Sequence, residues 1–165
     1  MNEKIMSILN QGHTVVCDMD GVIADFNAEK MGIERFATEK GFFKNLSPIV
    51  KNLQALKQLI SVGVRVKILS ASPNIQADKD KLSWLSNHLK ELNQSHVILC
   101  RNTDNKADFI DEIEGCVLID DYTENLIKWK TAGGLTIKYL GENDSPIGRH
   151  TTHNIPHIES LGEIY

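Results

Sequence analysis

The apolar positions of the chain fall into short unbroken runs separated by longer amphipathic stretches. Thr14-Val15-Val16-Cys17 shows no polar alternation and stops at Asp18-Met19-Asp20-Gly21, the pattern of a strand buried on both faces and followed by a turn. Similar runs stand at Val64–Leu69, Val97–Cys100, Cys116–Ile119 and Leu135–Leu140, so about five strands are predicted. Between the first two, Ile49, Leu53, Leu56, Leu59 and Ile60 recur with helical spacing over Pro48–Ile60, and Gly63 provides the stop. Leu82, Leu85, Leu89 and Leu92 predict a helix over Asp78–Leu92. Leu126, Ile127 and Trp129 predict another over Tyr122–Thr131, capped by Gly133-Gly134. Parallel neighbours need a long crossover, which a helix supplies, so the alternation predicts a doubly wound α/β fold with both faces of a parallel sheet covered.

Length and charge narrow the picture. The 165 residues favour one domain over 1–165, ending in a mostly irregular tail over 141–165, and a 41% hydrophobic content excludes disorder. Eighteen Lys and Arg against 22 Asp and Glu leave a net charge of −4, so no positive field draws duplex nucleic acid or an anionic membrane, and phosphate must be met locally. Cys17, Cys100 and Cys116 sit in apolar runs without a C-x-x-C spacing, as buried reduced thiols of a cytoplasmic protein do. The first residues lack the apolar core of a secretion signal, and no apolar run reaches the length of a membrane span, so a soluble protein is expected.

In a doubly wound sheet, ligands bind beyond the carboxyl ends of the strands. Asp18 and Asp20 follow the first run, Ser70 and Ser72 the second, Arg101 and then Lys106 the third, and Asp120 and Asp121 the fourth. Carboxylates crowded together raise one another's pKa and call for a cation. All-oxygen donors suit Mg²⁺, whose coordination a substrate phosphate completes, while Lys106 and a serine hydroxyl hold the phosphate oxygens. Such a set suits phosphoryl transfer, with Asp18 as candidate nucleophile and Asp20 as the acid that protonates the leaving alkoxide and then deprotonates water. Taken singly, each residue has an ordinary reading as a turn, cap or surface group; complementary groups at four strand ends in one order carry the chemical reading. A phosphate-accepting receiver domain would place its reactive aspartate after the third strand, where Arg101 stands instead. His150, His153 and His157 read as surface residues, and Trp84 and Trp129 as core.

Asp18-Met19-Asp20-Gly21-Val22 resembles the first motif of the haloacid-dehalogenase-like phosphatases. The segments Asp18–Phe26, Gly41–Ile49, Lys67–Pro73 and Leu118–Asp121 resemble the 5'(3')-deoxyribonucleotidase branch of that superfamily, over about residues 14–130. The resemblance implies the Rossmann-like fold of that superfamily and hydrolysis of nucleoside monophosphates through an aspartyl-phosphate. It also implies Mg²⁺ held by Asp18, the backbone carbonyl of Asp20, and Asp121, with Asp120 in support. Phe26 aligns with a residue that contacts substrate. Three departures stand out. Ala71 occupies the position of a threonine, leaving Ser70 or Ser72 as the phosphate-binding hydroxyl; four residues separate Arg101 from Lys106; and only the 14 residues 27–40 replace a multi-helix cap. A reduced cap implies loose base discrimination and room for a lid supplied by a second copy or a partner. It leaves open a phosphatase of another small or polymeric substrate, or a silent binding module of the same fold.

Overall fold

The computed structural model describes residues 12–26, 35–141 and 155–164. Six strands, β1 (Thr14–Cys17), β2 (Val66–Ser72), β3 (Val97–Arg101), β4 (Cys116–Asp120), β5 (Leu135–Tyr139) and β6 (His157–Ile158), form one sheet in the order β3-β2-β1-β4-β5-β6. Every pairing is parallel. The helices are α1 (Arg35–Thr38), α2 (Val50–Ser61), α3 (Ile75–His88) and α4 (Thr123–Thr131), with 3₁₀ turns between them.

Alternation along the buried strands divides the core. Val15, Cys17, Val66, Ile68, Val117 and Ile119 face Leu53, Leu56 and Leu59 of α2 and Ala77, Trp84 and Leu85 of α3. Val16, Leu69, Cys100 and Leu118 face Leu126 and Trp129 of α4 and the turns around Ala107, Ile110 and Ile113. Both tryptophans and all three cysteines are buried, and the cysteines are free thiols. β1 pairs with β2 on one side and β4 on the other, so chain order runs outward in both directions from the β1/β4 pair. That reversal opens a crevice beyond the carboxyl ends of β1 and β4, which is where such folds bind ligands.

The expected five strands become six, because the tail contributes β6: Lys138 N donates to Pro156 O at 2.7 Å and Leu140 N to Ile158 O at 2.9 Å. Two residues beside a proline are too short to show a period. The tail's order shows instead in buried Ile155, Ile158, Leu161 and Ile164, spaced three apart. Exposed His157 lies in β6, whereas His150 and His153, within 142–154, fall outside the described residues, as do 27–34 of the predicted cap.

Two element boundaries differ from expectation in ways that matter. β2 ends at Ser72 and not at Leu69, since Ser70 and Ser72 stay in the ladder opposite Leu99 and Arg101 of β3. α3 begins at Ile75, capped by the Asn74 side chain accepting from Ala77 N at 2.9 Å, and ends at His88. Its buried face is Ala77, Asp80, Lys81, Trp84 and Leu85, while Leu82 is 38% exposed. Trp84 sets that face by burying its ring and donating Nε1 to Leu46 O at 2.8 Å.

Candidate active site

The loop after β1 turns tightly at Gly21, whose φ of +75° is left-handed. Glycine is required here on a second count, because a Cβ would fall 2.8 Å from Asp121 Cγ and nearer still to its Oδ2. The turn therefore brings the Asp18-x-Asp20 loop against the end of β4. Asp18 N still donates to Ile119 O at 2.9 Å, and buried Asn52 of α2 braces the loop by donating to Val22 O at 2.6 Å.

At this crevice Asp18, Asp120 and Asp121 each offer an oxygen within 4.8 Å of the others. Lys106, buried on the α4 side of the sheet, donates to Asp120 Oδ2 at 2.7 Å and lies 2.9 Å from Asp18 Oδ1. The contact with Asp18 is an ion pair without hydrogen-bond geometry, which leaves Asp18 Oδ1 buried and short of a hydrogen-bond donor. Asp120 accepts two further hydrogen bonds besides that from Lys106, from Tyr122 N at 2.8 Å and Asn125 Nδ2 at 3.0 Å. Burial alone would lower the Lys106 pKa, but Asp120 and Asp18 outweigh it and raise it, so the side chain is a fixed cation.

On the opposite face stands a residue that sequence reasoning passed over. Lys81 of α3 is fully buried and directs its ammonium at Asp20 Oδ2, the Ser70 hydroxyl (2.9 Å) and the Ala71 carbonyl, over the Phe43 ring at 4.5 Å. Those three acceptors use all the protons of an ammonium. Asp20 keeps a second buried oxygen, Oδ1, with no hydrogen bond among the described residues. Burial pushes the Asp20 carboxyl above its ordinary range, and Lys81 works against that rise. The signal for Lys81 is a charge at helical spacing between Ala77 and Trp84, masked by four leucines whose spacing points to a different buried face.

The remaining predicted residues divide. Ser70 is joined to the aspartates through Lys81. Ser72 instead donates to Asp78 Oδ1 and accepts from Arg101 Nη1 at 3.0 Å. Phe26 is half-buried, edge-on to Phe36 and Phe42 and stacked at 6.1 Å on Phe43, the ring that carries Lys81. Lys138 of β5, another buried lysine the sequence did not mark, donates to the Asp121 carbonyl and to Thr123 Oγ1 at 2.9 Å, fixing the turn that follows β4.

The donor set fits a hard divalent cation. Carboxylate oxygens of Asp18, Asp120 and Asp121 gather within a few ångströms, one of them, Asp18 Oδ1, is buried and accepts no hydrogen bond, and the group holds no sulfur or nitrogen donor. The two lysines offer positive charge from either side of the same crevice, an arrangement suited to a phosphate group.

The profile of the family described as "5' nucleotidase, deoxy (Pyrimidine), cytosolic type C protein" matches residues 27–164, most of the chain, beginning just after the Asp18–Phe26 segment. No curated protein matches it. Solved structures share its fold at low identity. A haloacid-dehalogenase family hydrolase from Deinococcus radiodurans R1, with bound phosphate and sodium, has a TM-score of 0.66 at 14% identity, over 92% of this chain and 93% of that one. D,D-heptose 1,7-bisphosphate phosphatase from Burkholderia thailandensis gives 0.61 at 14%, over 90% and 93%. The enzyme of the same name from B. bronchiseptica, complexed with magnesium and phosphate, gives 0.51 at 12%, over 90% and 93%.

Proposed function

This chain belongs to the cytosolic type C 5' nucleotidase family, within the haloacid-dehalogenase-like phosphatases, and from that premise we propose a Mg²⁺-dependent hydrolysis of (deoxy)nucleoside 5'- or 3'-monophosphates in the cytoplasm. The observation that carries the reading is the pair of buried oxygens, Asp18 Oδ1 and Asp20 Oδ1, that accept no hydrogen bond among the described residues, on a loop whose two aspartates are each paired with a buried lysine.

In this reading Asp18 attacks phosphorus, the bond from phosphorus to the leaving oxygen breaks, and Asp20 gives that oxygen its proton. Asp20 then takes a proton from water, which attacks the aspartyl-phosphate and frees Asp18 and inorganic phosphate. The raised pKa of Asp20 keeps it closer to the protonated form that the first step requires. Lys106 and Ser70 bind the non-bridging phosphate oxygens, while Lys81, its three protons already placed, positions Asp20 and Ser70 and adds positive charge beside them. Asp18, the Asp20 carbonyl and Asp121 would hold Mg²⁺, which when bound neutralises charge on the phosphoryl group. Asp120 supports them by holding Lys106. Magnesium and phosphate in the B. bronchiseptica neighbour are consistent with this use of the fold.

The test is phosphate release from a panel of nucleoside monophosphates, sugar phosphates and an aryl phosphate, with Mg²⁺ or chelator. D18N is expected to lower turnover at least about 10⁴-fold with an unchanged melting transition. Near-normal turnover in D18N would sink the nucleophile assignment, and release from sugar phosphates alone would sink the nucleotide.

A further inference from the structure

Outward of Lys81 lies a second polar layer that the proposed reaction does not use. Successive same-face residues of a strand lie about 6.6 Å apart, and residues three apart on a helix rise about 4.5 Å, so α3 lays Lys81 over Ser70 and Asp78 over Ser72. Asp78 binds Arg101 of β3 through both oxygens, Oδ1 to Nη1 at 2.9 Å and Oδ2 to Nη2 at 2.6 Å, and accepts the Ser72 proton. The Arg101 side chain is 44% exposed and that of Asp78 19%, so the pair meets solvent one layer outward of the buried lysine. The bond from Arg101 holds the Asp78 carboxyl below its usual range, so both partners are charged at neutral pH and cancel.

An unpaired arginine at this distance would draw any second phosphate on the substrate, because guanidinium binds phosphate in a fork of two hydrogen bonds. We propose that Asp78 is a specificity-determining residue: by occupying the fork of Arg101 it turns the outer layer neutral, favouring substrates with one phosphate over those with a second on the leaving group. The inference rests on the phosphatase reading for the position of the first phosphate.

Equilibrium binding of a nucleoside 5'-monophosphate and the matching 3',5'-bisphosphate, measured by calorimetry on proteins that also carry D18N, gives a ratio of affinities. D78N, which frees Arg101, is expected to shift the ratio about tenfold toward the bisphosphate. R101Q, which leaves Asp78 unpaired, should shift it the other way, and the gain should vanish when the two changes are combined. A role in folding alone would weaken both ligands in proportion, so an unchanged ratio in D78N and R101Q overturns the proposal, as does failure of the monophosphate to bind. Binding of the expected kind without phosphate release by the Asp18 enzyme would instead overturn the proposed hydrolysis and leave the filter standing.

Discussion

Two buried lysines serve the two aspartates of one loop, and they do so from opposite faces of the sheet. Lys106 follows β3 in a 3₁₀ turn and is shared between Asp18 and Asp120, so one cation balances two carboxylates. Lys81 projects from the middle of α3 and meets one carboxylate, Asp20, plus two neutral oxygens. Lys106 is thus tied into the charge balance of the protein's centre, while Lys81 spends two of its three hydrogen bonds on neutral oxygens. The difference teaches that equal burial does not mean equal dependence: the number of charges stranded on removal decides the cost.

Replacing each lysine by alanine in metal-free protein separates them most widely. K106A strands Asp120 and Asp18 together and is expected to cost about 3–5 kcal/mol, the range for breaking a buried pair. K81A strands only Asp20, whose side chain is 17% exposed and can recruit water, and should cost clearly less. Denaturant melts with unchanged slopes would report the two costs. Equal losses would show that the shared carboxylate network adds nothing beyond single pairs.

The same contrast explains what the sequence could and could not tell. Asp18, Asp20 and the Asp120-Asp121 pair stand just past apolar runs, and Lys106 a few residues past another, where an unbroken apolar stretch stops and the fold rule directs attention. The parallel α/β sheet was legible for the same reason. Lys81 and Asp78 lie inside a helix, and only the correct phase of that helix puts them on the sheet side. Four leucines suggested one phase, and the single bulky Trp84, fully buried with a hydrogen-bonded indole, imposed another. β6 was illegible because two residues carry no period, and it forms only because β5 offers it an edge.

Metal binding sharpens the comparison from the carboxylate side. Burial raises the pKa of Asp20 and Asp120, with the lysines opposing the rise and Asp18 adding to it. Folded protein therefore holds protons that an unfolded chain, with carboxyls near 4, has released. The metal-free fold loses stability as pH climbs from the ordinary carboxylate range through the raised values. A divalent cation offsets that loss only where the carboxylates are ionised. Saturating Mg²⁺ should raise the melting temperature by about 5–10 °C at neutral pH and by much less near pH 4.5, and D121N should abolish the gain. An equal shift at both pH values, or one that survives D121N, would contradict the assignment of the metal to these oxygens.

The smallest expected effect distinguishes the two serines of β2, and it follows from counting protons. Each hydroxyl has one hydrogen and two lone pairs. Ser70 accepts from Lys81, so its hydrogen is uncommitted and can go to a phosphate oxygen. Ser72 accepts from Arg101 and gives its hydrogen to Asp78, a carboxylate that can only accept, so it has none to offer. A hydrogen bond to a charged group contributes about 1.5–3 kcal/mol, which puts S70A at roughly 10- to 100-fold in kcat/KM, partly because Lys81 also loses an acceptor. S72A removes no contact to phosphate and should change the same constant by no more than about threefold. A loss in S72A as large as that in S70A would mean that the Ser72 hydrogen turns from Asp78 to the substrate, freeing Asp78 and Arg101 in the very complex where their pairing is argued to matter.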